Sequence, residues 1–185
     1  KVKKQLVFGI VQGGDQKDLR QRSAGEITAL DFDGYAIGGL AVGESNKIMY
    51  DMVKFTAPLL PADKPRYLMG VGYPENIIEA VKNGVDMFDC VIPTREARHG
   101  KLYVWTTGDI TKKGFYKTIN LNNAKFTTDK TPINNTNLKQ YSRAYLHHLF
   151  KSGEPLAMKL ATINNVHFYL ELMNKIRVAI KQNKI

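Results

Sequence analysis

Four short apolar runs alternate with helix-patterned stretches over the first hundred residues, and this alternation limits the possible folds more than any other feature. Leu6-Val-Phe-Gly-Ile-Val11 is continuous and rich in β-branched residues, as in a strand buried on both faces. Tyr35-Ala-Ile37, Arg66-Tyr-Leu-Met-Gly-Val71 and Met87-Phe-Asp-Cys-Val-Ile92 follow at short spacing. Helical patterns span residues 15–30, 45–55 and 74–81, the last with Pro74 in its first turn and Asn83-Gly84 to stop it. The pattern predicts βαβ units and a parallel α/β sheet. Each strand ends in a loop rich in Gly, Gln, Glu or Arg, as where the loops of a (β/α) barrel build a site. Four or five strands cannot close an eight-stranded barrel, so either an open sheet or part of a barrel is expected.

After Gly100 the pattern changes. Residues 102–110 predict a β-hairpin with a Thr-Gly-Asp turn. Lys112, Lys113, Lys117 and Lys125 interleave with Phe115, Tyr116 and Phe126, which suits RNA contacts or, equally, a solvated hairpin. A polar loop covers 127–137, a helix 138–151, and a final helix about 155–181 with Leu156, Leu160, Ile163, Leu170, Met173, Ile176 and Ile180 as its core stripe. Adjacent His147 and His148 point to different helix faces, a poor geometry for shared metal ligation. The 185 residues are expected to form one domain: βα units over 1–100, hairpin and loop over 101–137, helices over 138–185.

Charge and cysteine content narrow the class. With 27 basic against 17 acidic residues the net charge is +10, which points to a polyanion such as nucleic acid unless the basic surface merely solubilises. Cys90 is the single cysteine, so neither an internal disulfide nor a multi-cysteine zinc site can form within the chain. Apolar runs fall well short of the roughly 20 residues that span a bilayer. The opening Lys-Val-Lys-Lys is not a cleavable signal, and a cytoplasmic location is expected.

Three strand-following loops carry candidate chemistry. The stretch Gly84-Val-Asp-Met-Phe-Asp-Cys-Val-Ile-Pro-Thr-Arg-Glu-Ala-Arg98 places Asp89 inside a strand-like run. A charged residue there is costly unless paired or used. Asp89 either ties down a neighbouring backbone amide or serves as nucleophile or base, with Arg95 and Arg98, in a short loop after Pro93, holding an anionic substrate. Gln12, followed by Gly13-Gly14, offers an amide suited to the edge of a planar heterocycle. In Gly38-Gly-Leu-Ala-Val-Gly-Glu44, the Gly39–Leu40 peptide offers backbone hydrogen bonds, and Glu44 is placed to bond that peptide or a ligand. Met69 could pack flat on a base.

Taken in this order, Phe8-Gly-Ile-Val-Gln-Gly-Gly14, Gly34-Tyr-Ala-Ile-Gly-Gly-Leu-Ala-Val-Gly-Glu44, Arg66-Tyr-Leu-Met-Gly-Val-Gly72, the Asp89 motif and Tyr141-Ser-Arg-Ala-Tyr145 resemble the queuine tRNA-ribosyltransferases, or tRNA-guanine transglycosylases. The resemblance covers nearly the whole chain and the C-terminal half of that family's (β/α)8 barrel, with an inserted β-hairpin and C-terminal helices. It implies exchange of the wobble guanine of a tRNA for a 7-deazaguanine, in queuosine biosynthesis. Asp89 matches the nucleophile that attacks the ribose C1′; Gln12, Gly39, Leu40 and Glu44 match substrate-binding positions, and Met69 the residue against the base. Arg95 and Arg98 match contacts to the anticodon loop. Val42 matches bacterial members, which use preQ1, and Tyr141, Tyr145 and His148 match part of a homodimer interface.

Two departures accompany the resemblance. The family's acid/base aspartate lies in its N-terminal half, so this chain is expected to need a separate or missing N-terminal partner. The family's structural zinc is held by three cysteines and a histidine; here the region is Pro132-Ile-Asn-Asn-Thr-Asn-Leu-Lys-Gln-Tyr141, and Asn164 takes the histidine position. No zinc or other cofactor is therefore expected, and packing with amide hydrogen bonds would hold the loop. The rivals are a non-catalytic tRNA-binding scaffold subunit with the same fold, and an unrelated barrel enzyme acting on a phosphorylated sugar.

Overall fold

Strand β2 (Gly34–Ile37) is buried at all four positions and has a parallel neighbour on each side. In the computed structural model, which describes residues 5–185, the strands β1 (Phe8–Val11), β2, β3 (Arg66–Leu68) and β4 (Met87–Phe88) form one parallel sheet in sequence order. Helices α1 (Lys17–Thr28), α2 (Asn46–Thr56) and α3 (Pro74–Lys82) make the connections. Ser45 caps α2 by accepting from the Ile48 N–H at 3.3 Å, and proline occupies the first turn of α3. Val11, Tyr35, Ile37, Met52, Val53 and Leu68 are core residues of this unit. Burying side chains of this size contributes about 1.5–3 kcal/mol each. The chain divides into two compact units, Lys1–Cys90 and Val91–Ile185.

The strand expected over 87–92 is shorter than its apolar composition implies. Only Met87 and Phe88 pair with β3, and Asp89 follows the strand as an exposed residue rather than lying inside a buried one. The arginines expected in a loop are helical instead: α4 (Ile92–Arg98) has proline in its first turn, and Arg95 and Arg98 lie exposed in its last. Pro93 suits a helix start because its missing N–H would have no intrahelical partner there, and its ring fixes φ near the helical value.

In the second unit, β5 (Lys101–Trp105) pairs antiparallel with β6 (Tyr116–Asn120). The hairpin is real, but its return strand lies further on than expected. Asp109 accepts from the Thr111 N–H at 3.0 Å and hydroxyl at 2.6 Å, turning the chain away so that residues 106–115 become the connection. The aromatic and basic residues of this region part company. Phe115 and Tyr116 join Tyr103, Trp105 and Phe168 in an aromatic cluster, and Phe126 is buried, whereas Lys112, Lys113, Lys117 and Lys125 are exposed.

Helix α5 (Arg143–Lys151) starts later than expected, because Ser142 caps it and residues 131–143 close a loop through Ile133 N–H to Tyr141 O (2.9 Å) and Arg143 N–H to Thr131 O (2.8 Å). Helix α6 (Pro155–Lys181) buries Leu160 and Ile176 as anticipated, but Leu156, Leu170 and Ile180 are exposed. Its buried face runs instead through Ala157, Ala161, Asn164, Asn165, Phe168 and Leu172. Small and amide side chains there let the helix approach the hairpin closely, and Asn165 bonds to the β5 backbone. The charge is also divided. Val91–Ile185 holds 16 Lys/Arg against 5 Asp/Glu, a net of +11, whereas Lys1–Cys90 holds 11 against 12, a net of −1.

Candidate active site

The sheet register builds the site. Val11 pairs with Ile37, Ile37 with Leu68, and Leu68 with Phe88, so these four strand-ending residues form one row. The next residue on each strand is Gln12, Gly38, Met69 and Asp89 respectively. With strands about 4.8 Å apart, the row spans roughly 14 Å along the carboxyl edge of the sheet. Ligands of open parallel α/β sheets bind along that edge.

Asp89 is held from β3. Its Oδ1 accepts from the Tyr67 hydroxyl at 2.5 Å and the Gly70 N–H at 3.0 Å, while Oδ2 receives neither bond. The Tyr67 bond first, then the Gly70 amide, keeps the Asp89 carboxyl below its ordinary pKa despite some desolvation. The same contact, aided by burial and the carboxylate's charge, pushes the Tyr67 hydroxyl up to about 12. The pair at neutral pH is therefore a carboxylate anion and a neutral phenol donor. The Gly70 bond is the backbone tie considered for Asp89 from sequence; it occupies one oxygen and leaves the other for chemistry.

Gln12 and the β2 loop meet by close approach. A Cβ on Gly38 would lie 2.7 Å from Gln12 Nε2, and one on Gly39 would lie 2.8 Å from Gln12 Oε1. Gly39 also has φ +66°, in the left-handed region that glycine tolerates best. Leu40 is a core residue, so its backbone rather than its side chain is what a ligand could meet. Met69 is half-buried, and its N–H donates to Ile37 O at 3.3 Å. Glu44 does not bond the Gly39–Leu40 peptide. Its carboxylate accepts from the N–H groups of Ala41 (2.5 Å) and Val42 (3.0 Å), folding the loop back on itself. Burial disfavours the Glu44 anion, but the surrounding N–H groups outweigh it, and its pKa lies below the usual value.

Sequence reasoning missed three contributors: Tyr67, Gly70 and Arg20. Tyr67 sits within a quoted motif, yet its role depends on which strand lies beside β4. Arg20 on α1 is 0% exposed, with Nε donating to Gly14 O at 2.6 Å and Nη2 to Gly38 O at 3.1 Å. No sequence signal marked it, because an arginine among the largely polar residues 15–22 reads as a solvated helix position, and α1 otherwise buries only Ala24.

The remaining candidates lie in the second unit. Arg95 and Arg98 lie exposed in the last turn of α4. Tyr141 and Tyr145 stack with centroids 5.8 Å apart and planes 15° apart, and His148 is exposed. His147 faces inward, its Nδ1 2.5 Å from Leu121 O, so the adjacent histidines do diverge.

The loop where the resemblance implies zinc is tied by asparagines. Asn134 Oδ1 accepts from the N–H groups of Thr136 (3.1 Å) and Leu138 (3.0 Å), and its Nδ2 donates to Asn164 Oδ1 at 3.1 Å. Asn164 Nδ2 donates to Tyr103 O at 3.1 Å, and Thr136 Oγ1 lies 3.0 Å from His167 Nε2. Zinc takes thiolates, imidazoles and carboxylates. Here the donors are neutral amides and a hydroxyl already bonded to one another, beside one imidazole, and this set does not fit the ion. Among the described residues no group of three His, Cys, Asp or Glu could hold a metal.

The first unit is thus a parallel α/β sheet that places a held carboxylate and an amide side chain in one row at its carboxyl edge. The model of the queuine tRNA-ribosyltransferase family matches residues 1–185, and the chain belongs to that family. It is 50% identical over 182 residues to the queuine tRNA-ribosyltransferase of Desulforapulum autotrophicum, covering 96% of this chain and 46% of that protein. The enzyme of the same name from Thermosipho africanus is 50% identical over 183 residues (97% and 47%), and that from Clostridium tetani 51% over 183 residues (97% and 46%). The chain spans about half the length of the curated relatives it matches.

Proposed function

We propose that this chain carries the nucleophile and base-reading loops of a tRNA-guanine transglycosylase, on part of a (β/α)8 barrel completed by the rest of such a protein. Two features support the barrel. The sheet runs β1 to β4 without closing, and its outer strands expose Ile10 and Met87. The similarity to queuine tRNA-ribosyltransferases supports tRNA and a guanine-type base as substrates. The observation that carries the catalytic reading is Asp89, ionised, with Oδ1 anchored and Oδ2 outside both bonds.

In this reaction Asp89 Oδ2 attacks C1′ of the wobble nucleoside through an oxocarbenium-like state. The C1′–N9 bond breaks, its electron pair leaves with guanine, and a general acid supplies the proton. PreQ1 then attacks C1′ through N9, loses that nitrogen's proton to a base, and the Asp89 carboxylate departs. The acid/base group belongs, by the resemblance, to an N-terminal half supplied separately or by a longer chain. Gln12, the Gly39–Leu40 peptide and Met69 hold the base, and Glu44 shapes the loop.

Docking of tRNA falls to the second unit, where Arg95 and Arg98 share in a net charge of +11. Neutralising phosphates there would release counterions. The exposed Tyr145, stacked on Tyr141, and His148 suit a homodimer contact. The asparagine ties support a loop that is stable without zinc. Among the described residues no helix is long and apolar enough to cross a membrane, which is compatible with work on tRNA in the cytoplasm.

The test is incorporation of radiolabelled guanine into tRNA by the chain with an N-terminal half present, and by its Asp89→Ala variant. Incorporation by the parent and none by the variant is expected. Incorporation that survives Asp89→Ala refutes the assignment; tRNA binding without exchange by either favours a scaffold subunit.

A further inference from the structure

Among the described residues Arg20 is a fully buried ionisable group that the reaction does not use. Removing a guanidinium from water is costly, and such groups persist where they are bonded or functional. Two of its nitrogens bond backbone carbonyls of two different loops: Gly14 O, in the turn that follows Gln12, and Gly38 O, next to Gly39. Nη1 has no hydrogen-bond partner among the described residues. Glu44 and Asp15 supply negative charge nearby. The Gln12 loop also leaves room for it. A Cβ on Gly13 would come within 2.7 Å of the Arg20 backbone nitrogen and 2.8 Å of its Cγ, and Gly13 has φ +139°.

We infer that Arg20 is a positioning residue for base recognition, strapping the Gln12–Gly14 turn to the Gly38–Leu40 turn so that the Gln12 amide and the Gly39–Leu40 peptide face one base together. The inference rests on the function proposed above. Arg20 acts through these loops and touches no reacting atom. The guanidinium's planar fork is suited to this, because it directs separate N–H groups at separate carbonyls. A lysine could reach one carbonyl but not hold both in fixed relation.

The experiment uses the chain together with an N-terminal half, comparing Arg20→Lys, Arg20→Met, Gln12→Ala and the Gln12→Ala/Arg20→Met double variant. Melting curves establish the folded fraction, and KM for the incoming base and kcat are measured on that fraction. Misplacing a binding group by about 1 Å can cost on the order of 100-fold. KM for the base should therefore rise roughly 10- to 100-fold in Arg20→Met, with kcat changed far less, and Arg20→Lys should recover part of the loss. The double variant should lose clearly less than the sum of the two single losses, since the strap acts in part through that side chain. Unchanged KM in a folded Arg20→Met protein, or fully additive losses in the double variant, would overturn the inference while leaving the proposed function intact. If Arg20→Met does not fold, Arg20→Lys decides by the same criteria. A parent assembly without any exchange activity would overturn both.

Discussion

Replacing Tyr67 with phenylalanine removes one oxygen and tests how Asp89 is held. The ring keeps its edge-to-face contact with Phe8, at 6.5 Å between centroids and 85° between planes, so packing is largely conserved. What is lost is the 2.5 Å hydrogen bond to Asp89 Oδ1. Hydrogen bonds to charged groups contribute about 1.5–3 kcal/mol when shielded. Asp89 is exposed, so solvent screening reduces this to about 1 kcal/mol.

The sign follows from linkage. The folded-state pKa of Asp89 is depressed, so its contribution to stability is present above the unfolded-state pKa and is lost as pH falls through the folded value. Tyr67 is raised to about 12, so the contribution from that side is complete below its unfolded value and disappears as pH climbs through about 12. The Tyr67–Asp89 coupling should thus be flat across neutral pH and vanish at both extremes. A double-mutant cycle of Tyr67→Phe and Asp89→Asn, by urea denaturation at pH 7, should return about 1 kcal/mol. Carboxyl-carbon NMR of Asp89 should show its titration moving upward in Tyr67→Phe. A coupling indistinguishable from zero at pH 7, with an unmoved Asp89 titration, would refute the assignment of Tyr67 as the main cause of the depressed pKa.

Other outcomes follow from the same geometry. Gly39→Ala forces a side chain into the left-handed region, costing about 1–2 kcal/mol, and drives its Cβ against Gln12 Oε1; base affinity measured by titration should fall while tRNA binding persists. Asn165, 0% exposed, accepts from the Tyr103 N–H and donates to Pro93 O and Lys101 O. Asn165→Ala strands those buried groups and should destabilise the second unit by about 3 kcal/mol, read from urea denaturation followed by Trp105 fluorescence. Chelator treatment should leave the melting temperature of the second unit unchanged, and stoichiometric zinc in the purified protein would contradict the asparagine-tied loop.

Much of the layout was legible in the residues. The βα alternation announced a parallel sheet because strand and helix leave different apolar periods. Gln12 and Gly39 stood out because a polar or glycine residue follows an apolar run, and Asp89 because it is a charge within one. Boundaries failed where local pattern competes with context. Met87–Ile92 is uniformly apolar apart from Asp89, yet pairing with β3 ends after Phe88 and Pro93 begins a helix. In α6, apolar periodicity favoured Leu156, Leu170 and Ile180, but close approach to the hairpin selected a face of alanines and asparagines.

The chain's sequence by itself determined the secondary-structure class, the placing of an amide just past a strand end and of a carboxylate within an apolar run, and the lack of cysteine ligands around residues 132–141. Only the tertiary structure decided what Asp89 is worth chemically. The Tyr67 hydroxyl and Gly70 amide that anchor it lie about twenty positions earlier, and Arg20 reaches loops on two different strands. Such contacts depend on strand order and register, which are settled by long-range pairing and burial. No local run of residues records them.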